Sequence, residues 1–213
     1  INVLKLEEIQ QPEATMEHYG LLSGLYYIWK KENVPYIGFS FSNHMINPDQ
    51  SNVEELLSGN VDVLLLKSVN IDITLQERYR RNFFGYDYKV MMEILRKYEP
   101  LYYEFAKKQI FLEKKILPFA GIMKKEIFRK YCSWLFRLLK NCDENIYSKT
   151  SKYQNRYLEH LSGILFFIYF KYNEKKLKIK SILDVVSMQT CQLYDKANLT
   201  EEGNLYEQVQ KLL

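Results

Sequence analysis

The chain has 213 residues, of which 47% are hydrophobic and 26% charged, and its 30 basic and 26 acidic side chains leave a net charge of +4. That is enough chain to bury one sizeable core, while the mild, interleaved charge argues against a nucleic-acid binder built on a concentrated basic face. Three cysteines, Cys132, Cys142 and Cys191, stand far apart with no close pair of the zinc or redox kind, a pattern that suits a reducing compartment.

Leu21, Leu22, Leu25, Tyr26, Ile28 and Trp29 recur at near-helical spacing and predict a helix over 17–31, followed by a short β-prone strand over 34–41. Asn47-Pro48-Asp49 supplies turn chemistry, Asn52 is expected to cap a short helix through Leu57, and Ser58-Gly59-Asn60 stops it before a strand over 61–66. A short strand over 71–73 is expected next, then a helix from Leu75 capped by Thr74, with Glu77 in the capping-box position. Helices over 87–98 and 101–114 are divided at Pro100, whose ring disfavours helical geometry in Glu99.

The apolar segment 116–123, with Pro118 and Gly121, predicts a short bent strand. Over 126–141, Ile127, Phe128, Tyr131, Leu135, Leu138 and Leu139 share a face opposite Lys130, Arg137 and Lys140, an amphipathic helix. A second long helix is predicted over 151–172. Its apolar run from Leu161 to Phe170 is about half the roughly 20 residues a bilayer requires. A last strand over 178–186 precedes a tail of weak periodicity. This alternation predicts an α/β fold, a mixed, mainly parallel sheet flanked by helices with a helix-rich C-terminal half. One domain over 1–213 is the simplest organisation; the chain begins at Ile1 and not at a methionine, so it is read as a possible module of a longer polypeptide.

Several residues invite a chemical reading. Ser40, Ser42, Asn43 and His44 lie at the end of the strand over 34–41, where α/β sheets bind ligands, although His44 equally suits a plain loop. His18, His44 and His160 form no metal-binding spacing, so no metal is expected. Lys171, Lys175, Lys176, Lys178 and Lys180 crowd one segment, either as a local basic surface or as solvated lysines flanking a strand. Cys132 reads as an inert core thiol. The 18 tyrosines are spread throughout, a compositional habit more than a sugar-stacking platform.

The run Tyr-Gly-Leu-Leu-Ser-Gly-Leu-Tyr-Tyr-Ile-Trp-Lys at 19–30 resembles the opening signature of a bacterial domain-of-unknown-function family of capsular and exopolysaccharide loci with GT-A-like glycosyltransferase character. Three further landmarks keep that family's order: Tyr36-Ile37-Gly38-Phe39-Ser40; Ile122-Met123-Lys124-Lys125-Glu126 leading to Phe128, Tyr131-Cys132 and Trp134-Leu135-Phe136; and Arg156 with the segment 176–182. The polar family residues, by contrast, are replaced. A His-Tyr-Arg-Arg falls at Phe41-Ser42-Asn43-His44, a Glu at Leu21, a His at Phe83, an Asn at Phe119 and a Glu-Arg pair at Gly163-Ile164.

The resemblance implies sugar transfer from a nucleotide-sugar donor, a uridine diphosphate sugar first among them, to a glycan or lipid-linked acceptor at the cytoplasmic side of a bacterial envelope. Such transfer needs cations or a metal for the leaving diphosphate and a base for the acceptor hydroxyl. Carried over by position, Lys30 is a ligand-binding candidate beside Trp29, Ser40 to His44 face the donor, and Asp87 or His44 is the catalytic candidate. Asp87 also stands at a helix start, where a capping role is favoured, and Asp62 is expected to be structural. The losses equally imply a non-catalytic descendant that binds a glycan acceptor or a partner glycosyltransferase. Peripheral membrane contact is compatible with both readings.

Overall fold

The computed structural model describes residues 19–41, 46–82, 85–110, 112–146 and 157–183. Helix α1 (Leu22–Lys31) turns Leu22, Gly24 and Leu25 inward and hands the chain to β1 (Tyr36–Ser40), and α2 (Gln50–Leu57) leads to β2 (Val63–Leu66). The cap of α2 is Asp49 and not Asn52: extended backbone at Asp49 brings its Oδ1 to 2.7 Å from the Asn52 amide, so Asn52 lies one turn inside the helix. The chain reverses after α2 at Gly59, whose φ of 78° suits glycine.

The small strand expected over 71–73 lies at β3 (Val69–Asn70), which pairs antiparallel with β4 (Lys115–Ile116) in a two-stranded sheet. Thr74 caps α3 (Leu75–Asn82) as expected, its Oγ1 accepting from the Glu77 amide at 3.2 Å. Helix α4 (Gly85–Tyr98) ends before Pro100, which opens α5 (Pro100–Phe105). The following residues, Ala106–Ile110, widen into a π-helical turn, so the helix expected over 101–114 is shorter and irregular. The bent strand resolves into β4 and β5 (Ala120–Lys124), joined through Pro118; then come α6 (Lys125–Asn145), α7 (Tyr157–Tyr172) and β6 (Ile179–Ile182).

The main sheet runs β1-β5-β2-β6. Strands β1, β2 and β6 point the same way, and β5 lies antiparallel between β1 and β2, giving the mixed sheet. Every residue of β2 is buried, as expected of a strand covered on both faces. Val63 and Leu65 face the helical layer with Ile37, Phe39 and Met123, while Leu64 and Leu66 face the opposite side with Leu56, Ala120 and Ile182. The helical layer is the larger core. Tyr131, Phe128, Phe166 and Phe170 are fully buried there, and the Tyr131 ring lies 5.7 Å from Phe166 and 5.4 Å from Phe170.

At the amino end of β2, charge laces three strands together. Asp62 accepts from Lys124 Nζ at 2.6 Å and from the Lys178 amide at 3.1 Å, while Lys178 Nζ donates to the Gly59 carbonyl and Lys180 Nζ to both Glu55 oxygens. Burial pushes the Asp62 carboxyl up, but the hydrogen bonds from Lys124 and Lys178 outweigh it and hold the group below the ordinary aspartate value. Asp62 is thus structural, as the sequence suggests. Among the described residues no helix is long and apolar enough to cross a membrane.

Candidate functional site

Because β1, β2 and β6 run in parallel, their carboxyl ends share one edge of the sheet, the edge at which α/β proteins place ligands. Phe41 extends β1 at that edge and its amide donates to the Phe119 carbonyl at 3.1 Å. The two rings stack, centroids 4.4 Å apart and 12° from parallel. They form one wall of a cleft of about 430 Å³, and α3 contributes Leu75, Arg78 and Tyr79, the β4–β5 connection Leu117 and Pro118, and α7 Glu159, His160, Gly163, Ile164 and Phe167. Leu21, just before α1, completes the rim.

One carboxylate ties this rim together. Glu159 Oε1 accepts from the Leu21 amide at 2.8 Å, so α7 satisfies an amide at the start of α1 that the helix itself leaves open. The close approach is possible because residue 20 is glycine: its φ is +48°, and a Cβ there would lie 2.0 Å from Glu159 Oε1. Arg78, Glu159 and His160 are the titratable groups of the cleft besides the buried Tyr79. An arginine and a histidine can counter anionic oxygens, and a glutamate can accept a hydroxyl proton.

The candidates read from the sequence are distributed unevenly around this cleft. Ser40 is exposed at the end of β1, directly before the cleft residue Phe41. Ser42, Asn43 and His44 lie outside the described residues. Lys30 sits in the last turn of α1, its Nζ 3.7 Å over the Trp29 ring, and takes no part in the cleft.

Asp87 occupies the first turn of α4, where a negative charge suits the helix dipole, but it is fully buried and does not line the cleft. It faces Tyr79, Cys142 and Tyr157, and together with burial it raises the pKa of Tyr79. Burial also pushes Cys142 up to about 12 and Cys132 well above the ordinary thiol value, which leaves both as core thiols. Among the described residues, no group of three or more His, Cys, Asp or Glu side chains gathers where a metal could sit.

Sequence reasoning missed Arg78, Glu159 and His160, whose sites arise from tertiary approach. What it did find is the set of replaced positions. Leu21, Phe41, Phe119, Gly163 and Ile164, where the resemblance places polar family residues, come from four separate stretches of chain and all line this one cleft.

Fold and cleft together define a mixed α/β domain with a ligand-sized cleft at the carboxyl edge of its main sheet. The structure is similar to that of a bifunctional glycosyltransferase, WbbM, solved in its apo form, with a TM-score of 0.66 at 20% identity, over 83% of this chain and 38% of that one. The chain therefore spans little more than a third of that protein's length. Residues 13–175 match the model of DUF4422, a domain of unknown function, and the chain belongs to that family. No functionally curated protein matches it.

Proposed function

We propose that this chain is a glycosyltransferase-family domain of bacterial surface polysaccharide or glycoprotein glycan synthesis, with its sugar site in the cleft at the carboxyl edge of the sheet. The observation that carries this reading is the convergence of Leu21, Phe41, Phe119, Gly163 and Ile164, five positions tied to the family's polar motifs, on one cleft in a fold similar to a glycosyltransferase. In this reading a nucleotide-sugar donor, probed first as a uridine diphosphate sugar, enters beside Phe41 at the end of β1. Arg78 and His160 offset charge on the leaving diphosphate, and Glu159 is the carboxylate at hand for an acceptor hydroxyl.

A second reading rests on the apolar walls. A stacked Phe41–Phe119 pair, Leu117, Ile164 and Phe167 offer flat faces that suit the C–H side of a pyranose better than a diphosphate. A domain of this kind would hold a glycan acceptor, or assist a partner glycosyltransferase, without transferring sugar itself.

Titration of the chain with a panel of nucleotide sugars, following both binding and release of the nucleotide, separates the two. Turnover that Arg78→Ala and His44→Ala abolish supports the enzyme. Binding of a neutral oligosaccharide that Phe119→Ala abolishes, with no nucleotide released, supports the acceptor-binding domain. Absence of binding to every sugar and nucleotide tested, by a correctly folded chain, removes both the enzyme and the acceptor-binding domain.

A further inference from the structure

The lysine-rich run near the C-terminal end of the described chain is largely engaged within the protein. Lys171 pairs with Glu174 at 2.9 Å, Lys180 with Glu55 at 2.8 Å, and Lys176 lies over the Tyr172 ring. Two exposed cations of a different face stand without such partners. Arg129 and Lys130 are exposed on the outer face of α6 and make no ion pair among the described residues, and with Ser133, Trp134 and Arg137 they border a shallow groove.

Two contacts set the α4–α5 corner beside that groove. Arg137 pairs with Glu99, and the Trp134 ring lies 5.0 Å from Tyr102. The corner is the sequence Lys97-Tyr98-Glu99-Pro100-Leu101, and its acid is neutralised by Arg137. Leu101 is 70% exposed and Tyr98 37%, with Lys97 Nζ 5.0 Å over the Tyr98 ring. A bare leucine and a half-open phenol ring beside Lys97 and the paired Arg137 and Glu99 form an amphipathic corner with no partner among the described residues.

We infer that this corner docks the chain onto a bilayer carrying anionic headgroups. Leu101 enters the acyl boundary, Tyr98 lies at headgroup level, and Lys97, Arg129 and Lys130 meet lipid phosphates. The charge pattern favours a bilayer over a nucleic acid, because the most exposed side chain at its centre is aliphatic and offers a base nothing to stack on or hydrogen-bond. None of these residues lines the cleft, so the inference stands or falls independently of the sugar reading.

The test is co-sedimentation of the 213-residue chain with phosphatidylcholine vesicles, with and without phosphatidylglycerol. Preferential binding to the anionic vesicles is expected, weakening with salt. Arg129→Gln together with Lys130→Gln should lower the partition coefficient by about 25-fold, roughly fivefold per cation removed. Leu101→Ser should lower it by about tenfold, and both variants should fold as the parent does, since all three positions are exposed. Equal partition into both vesicle types overturns the inference. So does a double variant that partitions like the parent, or retention on heparin without any vesicle binding.

Discussion

The two edges of the main sheet are built from opposite materials. At the amino end of β2, Asp62, Lys124 and Lys178 close a network in which each charge has a partner and the strands are cross-linked. At the opposite edge, Phe41 after β1 and Phe119 before β5 stack beside an open cleft, and Glu159 is a tie that holds its rim. One edge spends its polar groups on holding strands in place. The other leaves concave apolar surface bordered by a few polar side chains, the composition that ligand sites share.

Substitutions on each side sharpen that contrast. The largest effect is expected from Gly20→Ala, which meets both the strained positive φ and the Glu159 oxygen. Left-handed strain and loss of the α1 cap together should cost about 3 kcal/mol in a denaturant titration. Phe119→Ala should come next, costing about 2 kcal/mol by removing contacts with Phe39, Phe41 and Phe166. Calorimetry should show that it also loses any ligand of the cleft.

Asp62→Ala should cost about 1 kcal/mol, since the pair is only partly shielded from water, and should leave ligand affinity unchanged. Its signature is in pH. The Asp62 carboxyl is held below its ordinary value of 3.8, so the stability it adds is complete above that value and is lost as acid titrates the group through its lowered one. Acid titration of Asp62→Asn should lack that component. Smallest of all in stability is Arg78→Ala on α3, expected within about 0.5 kcal/mol of the parent while weakening an anionic ligand severalfold. If Arg78→Ala unfolds the chain, the cleft edge is as structural as the other and the contrast fails.

Much of this fold is legible in the sequence. The alternation of β-prone runs and amphipathic helices places the main elements, and Thr74 marks the start of α3 because a capping hydroxyl is written in local sequence, while the Glu77 carboxylate pairs with Arg81. The errors were local too. Asn52 has the identity of a cap, whereas the backbone at Asp49 decides which side chain reaches the free amide. Nothing in the stretch 101–114 announces the π turn at Ala106–Ile110.

The site was legible in a different sense. Five positions marked by departure from a family pattern line the cleft, but Arg78, Glu159 and His160, its ionisable groups besides the buried Tyr79, carry no local signal. Asp87 shows why position in a helix is a poor guide to chemistry. It stands at a helix start in the sequence, but α4 opens two residues earlier, at Gly85, and Asp87 is fully buried away from the cleft.

Glu159 serves two masters. Its Oε1 anchors the first turn of α1, and the same carboxylate faces the space a ligand would fill. A guest that recruits this oxygen must release the Leu21 amide, while one that leaves the anchor intact tightens it. By thermodynamic reciprocity, hydrogen exchange at that single amide reports occupancy of the cleft and tells which kind of guest has arrived.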